Sequence, residues 1–229
     1  MTSVLILLIC IGMFPSLTKA ASTNPVVIQD NPSGKKLLLN GRIWYNKYPT
    51  AFGDQFFLAN GFLRGSVTYN GRRFNNLDLK YDIANDELIL NIESYPIIFL
   101  NKEMVDSFTL NFGNRIYRII NMGTDTSSYL KGYVNALYSG PSALYVKYTK
   151  KIQPLAVDGR FDLFNQNHRV YLMKGTVLVV IRGTGMLLNM LEDKKKEIRS
   201  YIKSNKYKLS QKDPFTFIPL LQYYDSISK

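Results

Sequence analysis

GSVTYNGRRFNNLDLKYDIANDELILNI, residues 65–92, decides the fold. Asn70-Gly71 is the strongest short hairpin signal a sequence carries, because a type I′ turn needs positive φ at both central residues. A two-residue loop there sets Tyr69 opposite Arg72 and Val67 opposite Phe74. Beyond it, Leu77, Leu79, Tyr81 and Ile83 alternate with Asp78, Lys80 and Asp82, the period-2 pattern of a half-buried strand. The apolar positions are even at Phe74 and odd from Leu77, so the ribbon holds one extra residue. Asn75-Asn76 is the predicted bulge. After an Ala84-Asn85-Asp86 turn, Leu88, Leu90 and Ile92 continue the meander.

Outward from this ribbon the same grammar repeats. Leu37 to Leu39, Asn40-Gly41 and Arg42 to Tyr48 predict an opening hairpin around Trp44, and Pro49 to Gly61 a loop whose phenylalanines plug the core. Downstream, Ile97 to Leu100 follows the Tyr95-Pro96 break. Phe108, Leu110 and Phe112 alternate, Gly113-Asn114 turns, and Arg115 to Ile120 returns. Gly123 to Ser128 is a polar loop. Tyr133 to Tyr138 pairs through Ser139-Gly140-Pro141-Ser142 with Ala143 to Lys150, and Gln153 to Gly159 is a loop. Val170 to Met173 and Thr176 to Ile181 make a last hairpin around Lys174-Gly175. About ten short strands at this spacing mark an all-β sandwich or partly open barrel.

The period changes near Gly185. Leu187, Leu191, Ile198 and Ile202 follow helical spacing, and Asp213 with Pro214, or Thr216, can cap a second helix with a Phe217, Ile218, Leu221, Tyr224 stripe. The expected architecture is therefore all-β with C-terminal helices. An antiparallel meander over 39–184 is covered by one or two helices in 185–229, since open sheets need their edges or faces covered.

The first 38 residues read differently. Val4 to Met13 is almost wholly apolar, and Thr18-Lys19-Ala20 presents small residues at the −3 and −1 positions, so residues 1–20 read as an export signal and 21–38 as a linker. The apolar run is too short for a membrane anchor, which takes about 20 residues, so no transmembrane segment is expected after signal removal. Leu7-Leu8-Ile9 before Cys10 lacks the small pair that precedes a lipidated cysteine. Cys10 is the only cysteine, so the mature chain has no disulfide, thiolate nucleophile or cysteine metal site. Its stability rests on a core drawn from 46% hydrophobic and 13% aromatic residues.

The net charge is +12. Such charge in a cytosolic chain points to nucleic acid, but an exported one meets lipopolysaccharide, anionic lipid, acidic glycan or an acidic envelope protein instead. The charge is uneven. Lys194, Lys195, Lys196, Arg199, Lys203, Lys206, Lys208 and Lys212, against the single acid Glu197, hold +7 of the total. They lie opposite the Leu191, Ile198, Ile202 stripe, so one side packs while the other is a solvated face or an anion-binding one. Tyr145, Lys147 and Lys151 share a strand face and suggest a weaker sugar-stacking pairing.

Motifs for catalysis are scarce. His168 is the only histidine, no metal-ligand spacing exists, and His168 reads as sitting in the polar turn Asn165-Gln166-Asn167 with no G-x-S-x-G elsewhere. No cofactor-cradling loop is present. Gly183-Thr184-Gly185 reads as a strand-to-helix joint. Carboxylate pairs suited to glycoside hydrolysis would come from Asp82, Asp86 and Glu87, or from Asp158 and Asp162. Both clusters flank predicted turns, where acids bond backbone amides.

The stretches GSVTYNGRRFNNLDLKYDIANDELIL (65–90), ALYSGPSALYVKYTKKI (136–152) and EDKKKEIRSYIKSNKY (192–207) resemble uncharacterised exported proteins of Gram-negative bacteria. The resemblance spans most of the mature chain. It implies a periplasmic or surface β domain with a helical C-terminus, and it carries over no functional residue. The expectation is a non-enzymatic envelope protein with a binding or structural role. An anion-binding module working through 194–212 stands second, and a hydrolase using an unidentified carboxylate pair third.

Overall fold

In the computed structural model, Asn70 and Gly71 both take positive φ, at 49° and 70°, and Tyr69 faces Arg72 across the turn. Gly65 pairs with Leu77 and Val67 with Phe74, so Ser66 alone opposes Asn75 and Asn76, and Asn76 carries the positive φ of 52°. The extra residue is absorbed where the sequence places it. The structure describes residues 26–27, 32–123 and 129–228. The export-signal reading of 1–20 and most of the polar loop predicted over 123–128 lie outside the described residues.

The strands, in chain order, are β1 (Val26–Val27), β2 (Arg42–Ile43), β3 (Leu63–Tyr69), β4 (Arg72–Asp82), β5 (Glu87–Asn91), β6 (Ile98–Phe99), β7 (Val105–Phe112), β8 (Arg115–Asn121), β9 (Tyr133–Ser139), β10 (Ser142–Val157), β11 (Phe161–Lys174) and β12 (Val177–Ile181). A short α1 (Pro32–Lys35) precedes β2, and α2 (Thr184–Met190), α3 (Lys195–Ser204) and α4 (Ile218–Ile227) follow β12.

The sheet runs β12-β11-β10-β9-β8-β7-β3-β4-β5-β6-β2, with β1 parallel to β4 off this path. It is two meanders sharing a seam. One runs β3 to β6 away from one edge of β3; the other starts when β7 returns to the opposite edge and runs on to β12. Gly65 permits the seam, since any Cβ there would overlap the Thr109 carbonyl oxygen.

The sheet curls without closing into a barrel, and residues 52–57 tie the curl. Phe57 N donates to Tyr81 O at 2.8 Å and Ile83 N to Gln55 O at 3.0 Å. Phe52 N donates to Asp162 O at 2.8 Å and Lys150 N to Ile83 O at 3.2 Å, so β4 is drawn against β10 and β11. Phe56 and Phe57 are buried, as a plugging loop requires. Inside, Tyr81, Phe108 and Tyr133 meet edge-to-face, with centroids 5.1 to 5.7 Å apart.

A second core lies between the β10–β12 face and the helices. Leu144, Val146, Val170, Leu172 and Ile181 meet Leu187, Leu191, Ile198, Phe217, Leu221 and Tyr224, so the predicted helical stripes pack on the sheet. Asp213 caps the second helical segment through Phe215 N, with Pro214 in its first turn. Asp225 pins α4 to the β9–β10 turn by accepting from Tyr138 OH at 2.7 Å and Ser142 Oγ at 3.0 Å.

Three local readings are corrected. The opening hairpin does not form: Lys36–Leu38 winds into a 3₁₀ turn that buries Leu38, and Arg42–Ile43 pairs with β6 instead. Gln153 to Val157 is strand, not loop. Pro154 sits in the irregularity between Gln153 and Val157, where no ladder bond is asked of it. His168 consequently lies within β11, opposite Tyr148, and not in a turn.

Candidate anion-binding site

α3 is amphipathic. Ile198 is buried, Tyr201 and Ile202 are half-buried, and Tyr201 stacks on Tyr223 of α4 with centroids 4.0 Å apart and planes 3° from parallel. At 3.6 residues per turn, Lys196, Arg199 and Lys203 fall on one side opposite Ile198, and all three are exposed. Lys194 and Lys195 are half-buried at the helix start. Lys206, Lys208 and Lys212 are exposed on the chain that follows. Among the described residues none of these eight cations forms an ion pair.

A cleft of about 580 Å³ is lined by His168, Arg169, Val170, Val180, Ile181, Arg182, Gln211 and Lys212, the last of these eight cations. Strand register builds it. Val170 pairs with Ile181 as β12 ends, so Arg169 and Arg182 are the next residues on either side. Gln211 clasps the following loop to the sheet: its side-chain amide donates to the Ile181 carbonyl, and its own carbonyl accepts from His168 Nε2 at 2.7 Å. A carbonyl only accepts, so His168 carries its proton on Nε2. The clasp brings Lys212 to the two arginines. Among the described residues no carboxylate lines the cleft. Arg169 and Arg182 are exposed and, among the described residues, in no ion pair. Two planar guanidinium groups and an ammonium around one hollow suit a phosphate, sulfate or carboxylate group.

Sequence reading missed Arg169 and Arg182. The available signal was a cation at each end of the last hairpin, just outside Val170 and Ile181. It is meaningful only once β12 is known to end level with Val170 of β11.

The acids go elsewhere. Asp82 caps its own turn, accepting from Ala84 N at 2.9 Å, Asn85 N at 2.9 Å and Asn85 Nδ2 at 2.8 Å; burial still holds its carboxyl above the usual range against those bonds. Glu87 pairs with Arg42 at 2.6 Å, and burial raises it as well. Asp86 accepts from Lys102 Nζ at 2.6 Å, Lys147 Nζ at 2.8 Å, Tyr81 OH at 2.7 Å and Tyr133 N at 3.3 Å. Burial alone would push the Asp86 carboxyl up, but Lys147 and Lys102, with the tyrosine hydroxyl, hold it below the usual carboxylate range. Asp158 sits at the tip of the β10–β11 hairpin with φ 51°, and Asp162 accepts from Leu155 N at 3.0 Å. Tyr145 and Lys147, grouped as a sugar-stacking pair, do not face solvent: Tyr145 is buried and Lys147 is spent on Asp86 and the Tyr133 carbonyl.

Asp82 and Glu87 are direct cross-strand partners and line a second, smaller cleft of about 130 Å³ together with Trp44, Tyr45, Tyr48 and Gln55. Among the described residues no three His, Cys, Asp or Glu side chains cluster as a metal site, and no helix is long and apolar enough to cross a membrane. No family model, curated sequence or solved structure matches the chain, so its geometry and sequence carry the functional argument.

Proposed function

We propose that this chain is an exported, non-enzymatic envelope protein that binds phosphate, sulfate or carboxylate groups carried on an envelope glycan or lipid. Arg169, Arg182 and Lys212 around a hollow free of carboxylates carry the reading. The outer face of α3 extends the same field through Lys196, Arg199 and Lys203. Export is supported by the apolar run and small-residue pair of residues 1–20. A non-catalytic role is supported by the fate of the acids. Asp82, Asp86 and Glu87 are each committed to a turn, a lysine pair or an arginine, and His168 to the Gln211 carbonyl.

The test is co-sedimentation with vesicles containing anionic lipid, and with lipopolysaccharide, across a salt series. Binding at low salt weakens as salt approaches physiological strength, where the screening length is about 8 Å. Arg169→Glu with Arg182→Glu lowers affinity at least tenfold, about 1.4 kcal/mol. Binding that ignores both salt and this double substitution overturns the reading.

A further inference from the structure

The smaller cleft, at the β2 end of the sheet, has chemistry unlike the basic one. Its charged lining balances: Asp82 and Glu87 stand against Arg42 and Lys47. A charge-neutral lining gives no preference for an ion. The rest of the lining is aromatic, from Trp44, Tyr45, Tyr48 and Phe99, with the amides Gln55 and Asn85.

Two of these rings, Trp44 and Tyr48, are fixed from behind. Trp44 N donates to Ile97 O at 2.9 Å, and its ring lies 6.3 Å from Phe56. The Lys80 ammonium braces both rings, 5.6 Å from the Trp44 centroid and 4.4 Å from that of Phe56. Tyr48 meets Phe164 edge-on at 5.1 Å. Tyr45 is 64% exposed, a large ring with no packing role.

Gln55 supplies a polar group that is free to bond a ligand in the cleft. It is only 3% exposed, and its backbone carbonyl is bonded to Ile83 N. Yet among the described residues its side-chain amide has no hydrogen-bond partner, and it lines the cleft. The unpartnered atoms of Tyr133 and Asn135 are sealed in the core; the Gln55 amide is not among those sealed groups. An amide both donates and accepts. So does a sugar hydroxyl, and a pyranose also presents an apolar C–H face to an aromatic ring.

We propose that this cleft binds one neutral sugar ring, free or at the end of a glycan. Trp44 and Tyr45 stack on its apolar face. The Gln55 amide and the fixed carboxylates of Asp82 and Glu87 hold its hydroxyls. Pockets for drug-sized ligands start near 300 Å³, so a volume of about 130 Å³ restricts the occupant to a single ring. The proposal is independent of the basic cleft.

Trp44 is the only tryptophan, so its fluorescence reports on this cleft alone. Titration with glucose, galactose, mannose and N-acetylglucosamine gives a saturable change for at least one of them, with a Kd of about 1 mM or tighter. Salt leaves that change intact, and so does Arg169→Glu with Arg182→Glu, which separates this site from the anionic one. Tyr45→Ala, at an exposed ring, weakens binding at least fivefold. Gln55→Leu keeps the volume, weakens binding about tenfold, and leaves thermal stability unchanged or higher, as a group without a protein partner should. The proposal is overturned if no sugar in the panel gives a saturable change. It is overturned equally if the change survives both Tyr45→Ala and Gln55→Leu.

Discussion

The two halves of the sheet use charge in opposite ways. The β2–β8 half has paired cations, Arg42 with Glu87, Arg64 with Asp78, Arg115 with Asp213, and Lys102 with Asp86, to which Lys147 also reaches from β10; among the described residues Arg72, Arg73, Lys80 and Arg118 of its strands are in no ion pair. On the helical side, Lys174 pairs with Asp193, while Arg169, Arg182 and the eight cations from Lys194 to Lys212 have no acidic partner among the described residues. Charge on the first side serves cohesion. On the second it adds self-repulsion without offsetting attraction, which is a cost to folding. A feature that costs stability and recurs at one place is better explained by something outside the chain.

The contrast breaks first at Asp86. Asp86→Ala leaves Lys102 and Lys147 facing each other with side chains only 22% and 18% exposed. Removing one partner of a buried pair costs about 3–5 kcal/mol, and urea unfolding should show a loss at the low end of that range or above. The sign with pH is fixed. The folded Asp86 carboxyl is held below its ordinary value of 3.8, so its contribution is complete above that value and disappears as pH falls through the lower folded one. The substitution therefore flattens the acid limb of the stability profile below about pH 4. A variant as stable as the parent would show that this half does not depend on its paired charges.

The next effect belongs to the other half. Ile198 is fully buried beneath α3. Ile198→Ala should cost about 2–4 kcal/mol by transfer and cavity terms, and hydrogen exchange should rise through α3 before it rises in β3–β5. Uniform loosening would mean that α3 is not held by this stripe.

What could be read from sequence follows from the range of each interaction. The Asn70-Gly71 turn and the Asn75-Asn76 bulge are legible because φ preference and side-chain parity are local. The helical stripes are legible for the same reason. The partners of Asp86 lie 16 and 61 residues away, and the acid had looked like turn chemistry. The basic cleft needs β12 to end level with Val170 and Gln211 to reach back to Ile181, a separation of 30 residues. The Trp44 cleft needs β2 to find β6 in place of its neighbour in the chain. The strand over Gln153 to Val157 was not legible because it carries Pro154, a poor ladder residue that only a bulge accommodates.

A smaller effect tests the bulge. Asn76 holds φ at 52°, where asparagine is tolerated and alanine is strained. Asn76→Ala should cost about 1 kcal/mol more than Asn76→Gly. Equal losses for the two would mean that the side chain, not the backbone, sets the register there.

The smallest expected change in stability sharpens the comparison most. Arg199 lies four residues from both Lys195 and Lys203 on α3, and among the described residues it has no acidic partner. Like charges at that spacing are unfavourable by about 0.2–0.5 kcal/mol per pair. Arg199→Glu converts both pairs to attractive ones, so the melting temperature should rise slightly. The same substitution removes two units of positive charge from the face proposed to meet an anion, so vesicle binding at low salt should fall. Stability and binding moving in opposite directions is what a cation kept for a partner requires. If Arg199→Glu instead lowers stability by more than about 1 kcal/mol, well outside the range of an exposed pair, then Arg199 serves the fold and the contrast between the two halves fails.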